Sequence, residues 1–570
     1  MYRRRTPELR LNTTTENGSS RMEKQSPPSP SRTKSHGLLS SPSGQRALLI
    51  LGGIVSLFVV TKVFFPSESS PFALSHPPIA VPLVAKNYLN SSKIEPAPFE
   101  FCPFYGPGDS LAQKYGAHNL AKSKVHMGSG GRIQRVIHKA LSGLPVTISV
   151  LGGSISACHG AGDNPISQKC YPARFFNWWN SVFPHPASEL TNGAMRRTDS
   201  AYFSFCSGHH LPDQTDLVIL EFAADDPNDP AWLDHFDLLV RSILQRPDQP
   251  AVLILGHFSP QVHGIHGFND PLHLHNLVAQ FYDVPLISTK GAIFHDFVSN
   301  PNYAKSTYWV DPVLANPLGH ELLADMLISY FQEMACKGWD AALGRGFEVP
   351  VISADAMSSS GASGLFGGVG GRKGGADGPG APGANGKSTN DGPAAAYQWL
   401  RVPPIRINDR SPVSDHFREP KPFCVSANDL INPLPPSLFY GSGWLAHSPS
   451  GGRGGTSDQA GASGYYWYST LPTSKLRVPV KFAAGDVAIY YMMEPRGDFR
   501  DGGPGVMCWV DDNVPGAVEI SGVGDVGSPT PRLVLIDRGV DAGSHFVECQ
   551  LMGEEGEGSA PFKILGIFAT

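Results

Sequence analysis

The first 101 residues contain no cysteine, and the chain as a whole has no excess of positive charge. Its 45 Lys and Arg stand against 50 Asp and Glu, so the net charge is −5 over 570 residues. That excludes the strongly basic footprint of a nucleic-acid-binding protein. None of the eight cysteines has CxxC spacing, which removes the common zinc modules. Residues 1–46 hold a single aromatic, Tyr2, among Ser, Thr, Pro and scattered basic residues. Such a composition cannot bury a core and predicts disorder.

The first long apolar run is ALLILGGIVSLFVVTKVFF, residues 47–65, broken only by Ser56, Thr61 and Lys62. Its length is about that needed to cross a bilayer. A signal peptide has a short charged lead, a shorter apolar core and a small-residue cleavage site. Here the lead is long and Phe64-Phe65-Pro66 follows the run. The segment therefore reads as a signal anchor, with the basic tail in the cytosol and the bulk of the chain lumenal or extracellular. This predicts a single-pass type II membrane protein of the Golgi, the wider secretory pathway or the cell surface. All eight cysteines (Cys102, Cys158, Cys170, Cys206, Cys336, Cys424, Cys508 and Cys549) follow the anchor, on the side where disulfides form. The sequon Asn90-Ser91-Ser92 lies on the same side, whereas those beginning at Asn12 and Asn17 do not.

Residues 66–100 are a Pro/Ser-rich stem, and a first folded domain is expected over 101–350. Apolar strand candidates recur there at Val146–Leu151, Leu217–Phe222, Ala251–Leu255 and Val284–Ile287. Between them, Trp232–Leu244 and Leu272–Phe281 read as helices, and Phe175, Phe176, Trp178, Trp179, Val182 and Phe183 form one helical stripe best read as core. Strands alternating with helices imply an α/β fold with a parallel sheet covered on both faces. Residues 358–396 are almost wholly Gly, Ala, Ser, Pro and Asp, the composition of a linker. Over 397–570 the pattern turns to short alternating strands between Gly/Pro/Asp turns, which predicts an all-β sandwich. The linker predicts that the two domains fold separately.

The stretch Pro145–Gly160, PVTISVLGGSISACHG, joins a buried strand to a tight Gly152-Gly153 turn that presents Ser154. Ligand sites in open α/β sheets lie at such C-terminal strand ends, and a serine there is a candidate nucleophile. Four short blocks extend the pattern: Gly152-Gly153-Ser154-Ile155-Ser156, the run NGAMRRTDSAYFSFC from Asn192, Ala223-Ala224-Asp225-Asp226, and DPVLANPLGH from Asp311 to His320. In order and spacing they resemble the SGNH, or GDSL-like, hydrolases, over about 145–335. The resemblance implies a three-layer α/β/α esterase fold with Ser154 as nucleophile, its N–H in the oxyanion hole, a second oxyanion N–H at Arg197 in place of glycine, a third donor position at Asp225 in place of asparagine, and Asp311 as the orienting carboxylate.

This sequence departs from that family in its chemistry. Gly153 replaces the aspartate of G-D-S-L, and Leu314 stands where the D-x-x-H histidine belongs. Leucine takes no proton, and an ionised Asp225 would accept hydrogen bonds and repel an oxyanion. His320, His159 and His257 are the candidate substitute bases. In the further cluster His263, His266, His273 and His275, the last two are i,i+2 and do not share a helical face, and solvated or packed histidines are the better reading than a metal site. No metal and no cofactor is expected. The sequence thus supports a degenerate esterase-like protein that binds an acylated glycan. The competing readings are an active O-acyl (acetyl) ester hydrolase or acyltransferase on glycans with a non-standard base, and a purely structural anchored protein. Trp444 and Tyr465–Tyr468 in the second domain are candidates for stacking on sugars or for core.

Overall fold

The computed structural model describes residues 83–90, 97–345, 400–410, 417–429, 440–448, 464–483, 485–499, 503–554, 556 and 558–570. The expected anchor at 47–65, the cytosolic tail and the segment 358–396 lie outside the described residues. Among the described residues no helix is long and apolar enough to cross a membrane.

The first part is an α/β unit. Its strands are β1 (Lys124–His126), β2 (Thr147–Gly152), β3 (Glu189–Asn192), β4 (Leu217–Glu221), β5 (Ala251–Gly256) and β6 (Leu286–Ser288), ordered β1-β6-β5-β4-β2-β3. All pairs are parallel except the edge pair β1–β6. The helices α1 (Ser110–Tyr115), α2 (Ala117–Ser123), α3 (Gly131–Leu141), α4 (Tyr171–Val182), α5 (Ser200–Cys206), α6 (Leu233–Leu244), α7 (Pro260–His266), α8 (Leu272–Tyr282), α9 (Lys290–Ser299), α10 (Pro301–Tyr308) and α11 (Pro317–Ala342) complete it.

The period-2 alternation of strand side chains sorts the central strands onto two cores. Ile148, Val150, Leu217, Ile219, Leu253 and Leu255 pack with Ile137 of α3, Phe175 and Trp179 of α4 and Leu327 and Phe331 of α11. Leu151, Val218, Leu220, Val252 and Ile254 pack on the other face with Phe203 of α5, Phe236 and Leu239 of α6 and Val278 of α8. The Trp/Phe stripe is core, as read from its spacing: Phe175 and Trp179 are fully buried and Phe183 nearly so.

The second part is all β. Its strands are β7 (Phe423–Ser426), β8 (Tyr440–Gly441), β9 (Leu445–His447), β10 (Tyr466–Ser469), β11 (Lys475–Phe482), β12 (Gly485–Pro495), β13 (Gly505–Val510), β14 (Val518–Ser521), β15 (Val523–Gly524), β16 (Thr530–Val540), β17 (Gly543–Leu551) and β18 (Phe562–Ala569). One sheet runs β15-β12-β18-β10-β9, with β16 on β12 and β7 on β18; the other runs β14-β13-β17-β11-β8. Val478 and Val480 of β11, Cys508 of β13 and Val547, Cys549 and Leu551 of β17 meet Ile489 and Ile567 of the facing sheet in a third core. Glu548 points to the opposite face, where Lys475 and Arg477 hold it at 2.9 and 2.6 Å.

The expectation of two separately folded domains meets a different architecture. Cys424, Tyr490, Met492, Leu565 and Phe568 of the β part join the core on the α5/α6 side of the α/β sheet. Tyr202 Oη lies 2.8 Å from His210 Nε2 and 2.9 Å from Ser426 Oγ. Arg241, almost fully buried on α6, binds both carboxylate oxygens of Glu419 and donates to the carbonyls of Pro403 and Ile405. All eight cysteines are paired, as Cys102–Cys336, Cys158–Cys170, Cys206–Cys424 and Cys508–Cys549, and the third pair joins the two parts covalently. The Gly-rich composition of 358–396 says that this segment builds no core; it does not bear on whether its flanks share one.

Candidate active site

Ser154 stands just beyond the C-terminal end of β2, the strand beside the edge strand β3, and is 8% exposed. Two glycines put it there. A Cβ on Gly152 would lie 2.6 Å from the Glu221 carbonyl at the end of β4, and one on Gly153 would lie 2.0 Å from Asp225 Oδ2. Only residues without a side chain allow so close an approach of the two strand ends.

The backbone N–H of Arg197 donates to Ser154 Oγ over 2.9 Å. Arg197 has φ +53°, in the left-handed region where glycine is favoured, so this backbone is glycine-like although its residue is not. The backbone N–H of Ser154 faces the Asp225 carboxyl. The turn after β2 therefore brings together Ser154, Arg197 and Asp225, the three positions that the block spacing singled out.

The candidate bases are brought near but not onto Ser154. Among the described residues no imidazole hydrogen-bonds its Oγ. His320, fully buried in α11, accepts at Nδ1 from the Tyr171 N–H at 3.3 Å and stacks on the Tyr171 ring. Burial, with His257 and Arg174 nearby, pushes it down to about 3, so it stays neutral. His257 follows β5 and shares a 3.0 Å hydrogen bond between its Nε2 and the Val313 carbonyl; burial pushes it down to about 4. His159 is half-exposed and its Nδ1 lies 2.6 Å from Asp163 Oδ1, while Arg196 also holds that oxygen at 3.2 Å. Leu314 is half-buried against the apolar core, on a loop that touches the segment after Ser154: a Cβ on Gly160 would meet the Ala315 carbonyl at 2.6 Å. Asp311 has no imidazole to orient. Its Oδ1 accepts from the Val313 and Leu314 N–H groups, both at 2.7 Å, and so fixes that loop.

The histidines after β5 are dispersed. His263 packs among Phe258, Phe294 and Phe297, His273 Nδ1 meets the Asp270 carbonyl, and His275 stacks on Phe236. Among the described residues no group of His, Cys, Asp and Glu has the arrangement to hold a metal ion.

Behind Ser154 lie further carboxyls, to which the resemblance gives no role. Glu221, at the end of β4, is fully buried; burial pushes it up to about 7 against the hydrogen bond from Ser156. Asp199 caps the first turn of α5, and burial with Asp226 beside it raises it to about 7. Asp226 accepts from the Ser200 N–H and pairs with His275 Nε2, each at 2.8 Å. Asp225 is raised well above the usual carboxylate range, by burial first and then by Glu221 and Asp226, with the Ser154 N–H opposing. That direction favours the protonated acid over the repelling carboxylate expected from the sequence. The β part closes over the same cluster, since Arg532 of β16 acts on Asp199 and Tyr490 of β12 feels both Asp199 and Asp225. One signal for this cluster was present in the sequence, a glutamate inside the apolar strand LVILEF.

A scan of the chain against models of known families, and a comparison with curated proteins, find no match. Among solved structures, two crystal structures of a two-domain esterase active on acetylated mannans share this fold. In one, that esterase superposes with a TM-score of 0.52 at 16% identity, covering 79% of this chain and 98% of its own. Co-crystallized with mannopentaose, it superposes with a TM-score of 0.51, at the same identity and coverage. The chain therefore has the fold of a two-domain carbohydrate esterase, an α/β unit followed by an all-β unit.

Proposed function

We propose that this protein is an SGNH-type, esterase-like member of the secretory pathway that binds an acylated glycan at Ser154 and hydrolyses it weakly or not at all. The observation that carries the reading is the Arg197 N–H on Ser154 Oγ, which places a nucleophile-like hydroxyl and a glycine-like N–H donor together at the sheet edge. Leu314 at the position of the base accounts for weak turnover, because leucine cannot take the serine proton. The shared fold with an esterase active on acetylated mannans supports an O-acetylated polysaccharide as the ligand class. Calorimetry with O-acetylated and fully deacetylated manno-oligosaccharides tests this: selective binding of the acetylated form is expected, and equal or absent binding of both overturns it.

One observation favours a second reading, an active O-acyl hydrolase or acyltransferase. His159 is oriented by Asp163 as a general base would be, and it lies five residues after Ser154. Covalent labelling of Ser154 by a fluorophosphonate, abolished by His159→Ala, would select that reading over the first.

We also propose that residues 47–65 anchor the chain, with the N-terminus cytosolic. In sealed microsomes, protease should trim only the tail; loss of the folded portion in intact vesicles rules the topology out.

A further inference from the structure

We propose that Asn90 carries an N-linked oligosaccharide. The inference rests on the proposed anchoring at residues 47–65, which puts the chain beyond the anchor on the side where such glycans are attached.

Two observations support it, and neither uses the anchor. The first is the setting of the acceptor. The chain has three sequons, at Asn12, Asn17 and Asn90, and Asn90 alone lies next to the folded part. Asn90 is exposed and sits in a turn. Asn87 Oδ1 accepts from the Leu89 N–H at 2.9 Å and from the Asn90 N–H at 3.1 Å, an Asx turn that fixes the backbone at the acceptor. Tyr88, inside this turn, is buried against Phe99 and Phe183. Its N–H donates to the Leu141 carbonyl and its hydroxyl to the Val182 carbonyl. Among the described residues no hydrogen bond holds the Asn90 side chain. The turn is thus pinned by its neighbours while the acceptor amide faces water.

The second observation is the redox state. All eight cysteines are paired, in four disulfides that reach from Cys102 to Cys549. Disulfides persist in oxidising compartments, above all the lumen of the secretory pathway, and N-linked oligosaccharides are transferred in that lumen.

The position also leaves the candidate site free. Leu141 and Val182 are the C-terminal ends of α3 and α4, and β2 begins at Thr147, shortly after α3. Asn90 therefore stands at the end of the sheet where β2 starts, whereas Ser154 follows the end of β2. An oligosaccharide at Asn90 extends into solvent away from the Ser154 mouth.

The transfer is a substitution at the anomeric carbon of a lipid-linked oligosaccharide pyrophosphate. The C1–O bond to the pyrophosphate breaks and a C1–N bond to Asn90 Nδ2 forms. The amide nitrogen gives up one proton, and the lipid pyrophosphate leaves with the bonding pair. The transferase supplies the catalysis and this chain only the acceptor, with Ser92 completing the sequon.

The experiment translates the full-length chain with sealed microsomes and treats the product with peptide N-glycosidase. One step of increased mobility is expected, absent without microsomes and lost in Asn90→Gln and in Ser92→Ala. Ser92→Thr, which keeps the sequon, should keep the step, as should the double variant Asn12→Gln with Asn17→Gln. Enzymatic release leaves aspartate at position 90, which mass spectrometry reads on the unmodified sequence. Protease protection of the same vesicles separates this proposal from the topology. A protected folded portion with no mobility step overturns glycosylation and leaves the anchor standing. A folded portion degraded in intact vesicles, with no step, removes both. A step that survives Asn90→Gln and disappears in the Asn12, Asn17 double variant puts the N-terminal tail in the lumen and also overturns both.

Discussion

Gly153 and Asp225 are in direct contact: a Cβ on Gly153 would stand 2.0 Å from Asp225 Oδ2 and 2.2 Å from its Cγ. In the SGNH pattern an aspartate belongs at the first position and an asparagine at the second. Here the carboxyl has in effect moved from one to the other, and the glycine leaves room for it. The two departures from that pattern are therefore in contact with each other.

This coupling is measurable. Gly153→Ala must displace the Asp225 carboxyl from the Ser154 N–H and should destabilise the protein by about 1–3 kcal/mol, the usual cost of overpacking. In the background of Asp225→Ala the same substitution should cost much less, because the clashing atoms are gone. Urea unfolding of the four proteins in a double-mutant cycle gives the coupling. Additive effects would show that the contact is not tight.

A second prediction concerns the absent base. Wild type should hydrolyse p-nitrophenyl acetate barely above the buffer rate, and Ser154→Ala should leave that rate unchanged. Leu314→His restores a base at the right block position, where general-base help is worth about 10²–10⁴ in rate. The gain should fall at the low end, since Asp311 Oδ1 is already occupied by two backbone N–H groups and is not free to orient an imidazole. Ordinary esterase rates in wild type, lost in Ser154→Ala, would instead make the His159–Asp163 pair the base to mutate first.

The sequence carried the sheet because its strands are buried on both faces and read as unbroken apolar runs, as Val146–Leu151 does. It carried Ser154, Arg197 and Asp225 because each sits just after a strand or in a short block of fixed spacing. It did not carry the acid cluster. Glu221 and Asp226 flank the turn after β4 while Asp199 opens α5, and only the parallel pairing of β2 with β4 and the packing of α5 bring them behind Ser154. The shared core was hidden for the same reason. Tyr490 and Phe568 sit in the apolar runs Val487–Met492 and Ile564–Ala569, whose lack of alternation signals burial on both faces, but nothing local to those strands shows that the partner is Tyr202.

The third prediction follows from that shared core. With a specific protease site introduced within 358–396, the cleaved protein should stay together under non-reducing conditions through Cys206–Cys424 and unfold in a single transition. Cys206→Ser with Cys424→Ser should cost about 2–4 kcal/mol, as removal of a disulfide typically does. The buried Arg241–Glu419 pair and the joint apolar core should still hold the fragments together after cleavage. Two well-separated thermal transitions by calorimetry would show that the interface contributes little.

The last prediction is a pH dependence with a definite sign. Glu221 is raised from 4.5 to about 7 in the folded protein, because its fully buried carboxyl loses its hydration. Between these values the folded state holds a proton that the unfolded chain has released. The stability linked to this group is therefore full below about pH 4.5 and is lost as pH rises through about 7. His210 and His257, both pushed down to about 4 by burial, act in the opposite sense: their contribution is present above 6.5 and lost as pH falls. Glu221→Gln removes only the first effect, and its amide oxygen can still accept from Ser156. The variant should gain on wild type as pH rises from 5 to 8, by an amount on the order of 3 kcal/mol at most, while the loss on the acid side stays as it was. Urea midpoints for both proteins at the two pH values measure this. An identical difference at pH 5 and pH 8 would show that Glu221 is ionised in the folded protein, and the charge count behind Ser154 would then have to be drawn again.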